Sequence, residues 1–156
     1  MTETLQTYSL LAVYSAMAVY TLSFLMFTLD LAKRQAPIEQ KVAVMAGGSE
    51  VEERPASTSA VTSASAFQRI AHGLLVVGWL VHLVGTVLRG IAGQRVPWAN
   101  MFEFGLTATL LIVAVYLGVL FWRELGYLGA FVSGFVVLSL GIVTVNFYVD
   151  VVPLPP

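Results

Sequence analysis

Two histidines are the residues best able to do chemistry in this sequence, because no other acidic, basic or imidazole side chain lies inside its long apolar segments. His72 and His82 are ten residues apart, so they lie about 80° apart around a helix and cannot jointly bind one metal ion. His72 follows Arg69 by three residues, which predicts a solvated position near the end of its segment. His82 lies deeper, where an ionisable group is a candidate functional residue.

His82 shares one helix face with Gly78, Gly85 and Arg89. Glycines on such a face indicate close contact with a neighbouring helix. His82 therefore has two interpretations: it hydrogen-bonds that helix, or it binds haem iron or lines a haem path, since imidazole is a common ligand of haem iron. A bis-histidine haem would need a second histidine from another helix, and the sequence has no histidine outside this segment.

The rest of the composition excludes several kinds of site. The chain contains no cysteine, which excludes disulfides, thiolate metal sites, a CxxC redox pair and a cysteine nucleophile. The sequence contains no motif for a nucleophile–base pair, a phosphate-binding loop or paired catalytic carboxylates. We therefore expect the chain to form, at most, part of a larger enzyme assembly. The net charge of −1 predicts no attraction for nucleic acid.

The elements that carry these residues are predicted to be membrane helices. Charged residues make up 11% of the 156 residues, against about 25% in soluble domains. Four segments, 4–29, 70–88, 104–122 and 125–149, contain no Asp, Glu, Lys or Arg. A membrane-spanning helix needs about 20 apolar residues. The sequence therefore predicts an all-α membrane protein with a bundle of four transmembrane helices in a lipid bilayer.

Lysines and arginines predict the orientation of this bundle. With the N-terminus outside, the outer loop holds only Arg89 and Arg95, and the inner segments hold Lys33, Arg34, Lys41, Arg54, Arg69 and Arg123. The positive-inside rule thus favours both termini outside. Residues 1–30 then form the first helix, and 31–68 form a cytoplasmic linker whose Ala/Ser/Thr-rich part predicts flexibility. Residues 69–156 form helices two to four.

The loop between helices two and three is the most informative segment. Gly90 and Gly93 are predicted to end helix two, and Pro97 prevents its continuation. Asn100 and Glu103 have the N-x-x-E spacing of a helix N-cap and its reciprocal partner, so helix three should begin at Met101.

Capping does not explain the aromatic residues of this loop. Trp98, Phe102 and Phe104 lie close in sequence to Arg89 and Arg95. Aromatic residues are common at membrane interfaces. Arginines beside an aromatic surface also suit a flat, apolar ligand that carries carboxylates, a description that fits haem.

The segment also resembles a known family. A histidine in the second span, then Leu88-Arg89, then Gly93-x-x-x-Pro97-x-x-Asn100-x-x-Glu103, resembles the opening of the CcsA/ResC-type proteins, labelled CcsB in high-GC Gram-positive bacteria. The similarity covers residues 70–125. The family's tryptophan-rich WWD segment is not found in the sequence, so we expect the chain to correspond to the N-terminal portion of such a protein.

The resemblance implies a role in system II cytochrome c biogenesis. Such a protein handles haem and presents it at the outer face of the bacterial cytoplasmic membrane, where a ResB-type partner takes part in its attachment to apocytochrome c. The candidate haem contacts are His82, Arg89, Arg95 and Trp98, and the motif that caps helix three is Pro97, Asn100 and Glu103. The alternative is a non-catalytic accessory subunit of a respiratory or transport complex. A small cytochrome b-like carrier is disfavoured because only one predicted helix carries histidines.

The predicted topology is open to a direct test, because the chain has no cysteine of its own. Single cysteines introduced at Ser57 and Ala99 should react with a membrane-impermeant maleimide from opposite sides, Ala99 from outside. The measurement compares labelling in intact and permeabilised cells. If both positions react from the same side, the four-span arrangement is wrong.

Overall fold

The computed structural model describes residues 2–47, 58–120, 122 and 125–150, and the side chains of 3–33, 66–120, 122 and 125–150. Across these ranges the chain is helical and contains no strand. The four α-helices are α1 (Thr2–Gly47), α2 (Thr58–Gly93), α3 (Met101–Leu120) and α4 (Gly129–Asn146), and a 3-10 turn at Gly126–Leu128 precedes α4. The predicted all-α fold is confirmed.

Each α-helix belongs to a stretch that is long and apolar enough to cross a bilayer. These stretches are Glu3–Lys33, Ala66–Gly93, Met101–Leu120 and Gly126–Asn146. They agree with the four charge-free segments to within a few residues, so the chain is a multi-pass membrane protein. Its orientation stays a prediction, because a helix bundle alone does not define an inside and an outside.

The predicted linker at 31–68 is only partly described. The backbone of α1 continues through its first part to Gly47, and α2 begins at Thr58. Residues 48–57 and the side chains of 34–65 lie outside the described part of the chain, and the predicted flexibility concerns mainly these residues.

The helices α1 and α2 pack closely through small residues. A Cβ added at Gly78 would lie 3.0 Å from the ring of Tyr20, and one added at Gly85 would lie 3.2 Å from the carbonyl oxygen of Ser9. The Ser9 hydroxyl donates a hydrogen bond of 2.8 Å to the carbonyl of Gly85. The glycine face that the sequence assigns to a helix contact is therefore the surface that meets α1.

The helix α1 also packs against α4, and α4 in turn packs against α3. Gly134 of α4 lies against the ring of Phe24, and Gly105 of α3 lies against Val143 of α4. The contact between α2 and α3 is much smaller than that between α2 and α1, although α2 and α3 are consecutive in sequence. This sparse contact leaves a cleft between α2 and α3.

Candidate functional site at the loop end of the bundle

The loop end is the end of the bundle where α2 joins α3. The helix α2 ends at Gly93, as predicted, and the next residue, Gln94, adopts a left-handed conformation with φ of 51°. The Gln94 N–H donates to the carbonyl of Ile91, and the Arg95 N–H donates to that of Gly90, both at 3.2 Å. This is a Schellman motif, which satisfies the last carbonyls of a helix and reverses the chain direction.

The helix α3 begins with the Asn100 cap that the N-x-x-E spacing predicts, but Glu103 reaches back to the N–H of Ala99 rather than to that of Asn100. Oδ1 of Asn100 accepts a hydrogen bond of 2.8 Å from the N–H of Glu103. Oε2 of Glu103 accepts one of 3.1 Å from the N–H of Ala99. The Thr107 hydroxyl donates to the carbonyl of Pro97 at 3.2 Å, which ties the preceding turn to α3. The motif residues therefore fix the loop to the start of α3.

A buried ion pair joins this cap to α2. Nε of Arg89 lies 3.4 Å from Oε1 of Glu103, and these side chains are 0% and 2% exposed. Nη2 of Arg95 lies 4.0 Å from the same oxygen, with 27% of its side chain exposed. One carboxylate thus faces two guanidinium groups, and all three residues come from the loop or its flanking helix turns.

The Arg89 side chain makes several contacts inside the bundle, although its Nη1 has no hydrogen-bond partner among the described residues. Its Nη2 donates to the carbonyl of Val149, which follows α4. Its guanidinium lies over the ring of Phe102 at 4.5 Å and faces that of Tyr148 at 5.8 Å, distances at which cation–π attraction operates. Arg89 lies on the glycine face of α2, which turns inward, so its side chain is buried, and its role as a haem contact stays a prediction.

Polar residues from the chain's two ends complete the cluster. Nε2 of Gln6 donates to the Tyr148 hydroxyl at 3.0 Å and to Oδ1 of Asp150 at 2.6 Å. The Tyr148 hydroxyl donates to the same carboxylate oxygen at 3.0 Å. No sequence pattern indicates this contact, since Gln6 and Asp150 are 144 positions apart and only the fold brings them together. The loop-end cluster is Gln6, Arg89, Arg95, Asn100, Glu103, Tyr148 and Asp150.

The outer face of the loop is apolar. Trp98 is 64% exposed and Phe104 is 60% exposed, and two further apolar residues, Val96 and Met101, are similarly exposed. We call these four residues the apolar shelf. Phe102, which the sequence grouped with Trp98 and Phe104, is instead fully buried beneath Arg89. Of the predicted haem contacts, only Trp98 and part of Arg95 are therefore accessible at this end.

The His82 imidazole is enclosed between helices. It is 0% exposed, its Nδ1 lies 3.4 Å from the Tyr20 hydroxyl, and its ring meets that of Tyr20 edge to face. Nε2 has no hydrogen-bond partner among the described residues. These contacts fit the interhelical interpretation. A haem iron would reach Nε2 only after the surrounding helices had moved apart, so His82 does not fit an iron ligand in this arrangement.

His72 is half-buried rather than solvated. Its Nδ1 lies 2.8 Å from the Gln68 carbonyl, so this nitrogen carries the proton, and Nε2 faces the Tyr116 hydroxyl at 3.4 Å. Phe27 contacts the ring edge to face at 4.8 Å. Among the described residues, no group of three or more His, Cys, Asp or Glu side chains could hold a metal ion.

The Arg89–Glu103 pair should dominate the stability of the loop end. Arg89→Met and Glu103→Met should each lower the free energy of unfolding by about 3–5 kcal/mol, because the first leaves the buried carboxylate with only the more distant Arg95 and the second leaves the buried Arg89 guanidinium without Glu103. The double variant should cost clearly less than the sum of the two single costs. The measurement is the free energy of unfolding in detergent micelles, followed by helical circular dichroism.

The matched control is Arg95→Met, which removes a more distant and partly exposed partner of the same carboxylate. It should cost no more than about 1 kcal/mol. If the Arg89 and Glu103 costs simply add, the two side chains are not coupled and the ion pair does not hold this end together.

Comparisons with known proteins give no further information about this site. No protein-family model, curated protein or solved structure matches the chain.

Proposed function

We propose that this chain is the N-terminal membrane part of a CcsA/ResC-type protein of system II cytochrome c biogenesis. In this role it scaffolds the outer loop and presents the apolar shelf to haem, the cargo, and to a ResB-type partner. The loop faces outward from the bacterial cytoplasmic membrane, with both termini on the same outer side. Apocytochrome c receives the haem there.

One observation carries this proposal: the Pro97–Glu103 block immobilises a loop whose most exposed side chains are large and apolar. The cap and the ion pair hold the inner side of the loop through Glu103. Trp98 nevertheless remains 64% exposed. A rigid loop loses little conformational entropy when a partner binds, so it suits recognition of a flat, apolar molecule.

Haem would meet this surface through two kinds of contact. The apolar macrocycle suits the faces of Trp98 and Phe104, and a haem carboxylate suits Arg95, the guanidinium that is only partly buried. Arg89 acts indirectly, because it is committed to Glu103 and to the carbonyl of Val149. His82 supports the packing of α1 on α2 through Tyr20.

The second candidate is a non-catalytic accessory subunit of a respiratory or transport complex. The contacts of His82 and Arg89 favour it, because both side chains are used for packing within the bundle. The two candidates differ in what they require of Trp98. In an accessory subunit, Trp98 would only contact lipid, and other aromatic or apolar residues could replace it. A haem-handling surface needs the indole of Trp98 in its present position.

Trp98→Ala in the full-length context should lower cytochrome c maturation severalfold while membrane insertion stays unchanged. The side chain is exposed, and substitutions at exposed positions usually change stability by no more than about 0.5 kcal/mol. The measurement is haem-stained cytochrome c per unit of inserted protein. Arg95→Gln should lower maturation in the same way.

Asn100 provides the control for a purely structural effect. Asn100→Ala should cost about 1 kcal/mol through loss of the cap, and Asn100→Ser and Asn100→Asp should restore it. Maturation should follow protein abundance across this series. Normal maturation in Trp98→Ala would remove the reason for assigning the loop to haem handling and would leave the accessory-subunit interpretation.

The chain alone should not retain haem at one equivalent after purification. The enclosed His82 offers no open ligand position, and the described residues provide no second histidine from another helix. The test is the absorbance spectrum of the purified chain after incubation with hemin. A strong Soret band of bis-histidine type would show that a complete site exists within the chain.

A further inference from the structure

A cleft of about 810 Å³ lies between α2 and α3, away from the loop end. One end of it is polar and contains Arg69 and His72. The remainder is lined mainly by apolar side chains, among them Val76, Trp79 and Leu117. The cleft is therefore amphipathic along its length, with its charge at one end only.

The dimensions of the cleft match one leaflet of a bilayer. Trp79 follows Arg69 by ten residues, which is about 15 Å along a helix. This distance is half of the roughly 30 Å hydrocarbon thickness of a bilayer. Nε1 of Trp79 donates to the carbonyl of Leu110 at 3.1 Å, so its only polar group is already paired within the bundle.

The protein leaves part of the cleft open beside Gly118, near the end of α3. A Cβ added at Gly118 of α3 would meet no atom within 4 Å, although Gly118 lines the cleft. By contrast, a Cβ added at Gly105, on the same helix, would clash with Val143 of α4. The glycine at position 118 therefore provides space for something other than the described side chains.

We propose that this cleft binds an anionic phospholipid, with its phosphate at Arg69 and one acyl chain against Trp79 and Leu117. Charge complementarity carries the choice of ligand. Arg69 is exposed at the polar end, and an arginine binds a phosphate through paired hydrogen bonds. Lys33 lies on another side of α2, with its ammonium over the ring of Phe67 at 3.9 Å, so the basic chain that lines the cleft is that of Arg69.

The predicted orientation agrees with this assignment. The end that carries Lys33 and Arg69 is the one predicted to be cytoplasmic, and the cytoplasmic leaflet is rich in anionic lipids. The two ring nitrogens of His72 already face the Gln68 carbonyl and the Tyr116 hydroxyl, so neither nitrogen points at the phosphate position beside Arg69.

Fluorescence of Trp79 provides the test. The full chain with Trp98→Phe and Trp122→Phe keeps Trp79 as its only tryptophan. This protein is reconstituted into phosphatidylcholine vesicles that contain a minor fraction of brominated phosphatidylglycerol or of brominated phosphatidylcholine. The anionic lipid should quench Trp79 with about fivefold higher apparent affinity, since one basic side chain contributes about 1 kcal/mol to anionic-lipid binding.

Three variants separate a specific site from ordinary lipid contact. Arg69→Gln should make the apparent affinities of the anionic and the neutral brominated lipid equal. Gly118→Leu should fill the cleft and reduce quenching by both lipids. Gly141→Leu, the matched control, introduces the same side chain on α4, away from the cleft, where an added Cβ would meet only the end of Met17 at 3.9 Å, and it should change neither the quenching nor the lipid preference.

Three outcomes would overturn the proposal. Equal quenching by both lipids in the parent protein would show non-selective boundary lipid. Unchanged quenching in Gly118→Leu would place the lipid elsewhere on the surface. Absence of quenching by either lipid, together with cross-linking between two copies at the cleft, would show that a second copy covers it.

Discussion

The ion pair between Arg89 and Glu103 is the interaction on which the loop end depends. Both groups lie inside a bundle whose surroundings are apolar, so neither charge is stable there without the other. Glu103 is also in the first turn of α3, where the helix dipole stabilises a negative charge. Because Arg89 also reaches the carbonyl of Val149, this one pair ties α2 to α3 and to the segment after α4.

The ion pair also accounts for the two-sided character of the loop. Cap and salt-bridge contacts use the polar groups on the inner side of the loop, and the apolar shelf remains on its outer side. At the other end of the bundle, no ion pair joins α2 to α3 among the described residues. The hydrogen bond from Trp79 to the Leu110 carbonyl links the two helices, and the cleft lies along the part of α2 that precedes Trp79. The helices α2 and α3 are thus held together by the ion pair at the loop end and are separated by an open, amphipathic cleft at the other end.

Local interactions made a large part of this architecture predictable. Segments without charge marked the four helices, because a charged side chain in the centre of a span is costly. The N-x-x-E spacing of Asn100 and Glu103 marked the start of α3, and Gly93 marked the end of α2, since caps depend on residues a few positions apart. The face shared by Gly78 and Gly85 also identified a close helix contact, although it did not identify the partner helix.

What only the tertiary structure decided is which side of each element faces inward. Two arginines six residues apart have different roles, because Arg89 lies on the buried face of α2 and Arg95 follows its C-terminal turn. Similarly, Phe102 is buried and Trp98 is exposed, although both belong to the same short aromatic segment. The contact of Gln6 with Asp150 depends on the packing of α1 against the end of α4. The sequence determined the helices and their caps through local chemistry, whereas the function of each polar residue depended on the rotation and pairing of helices.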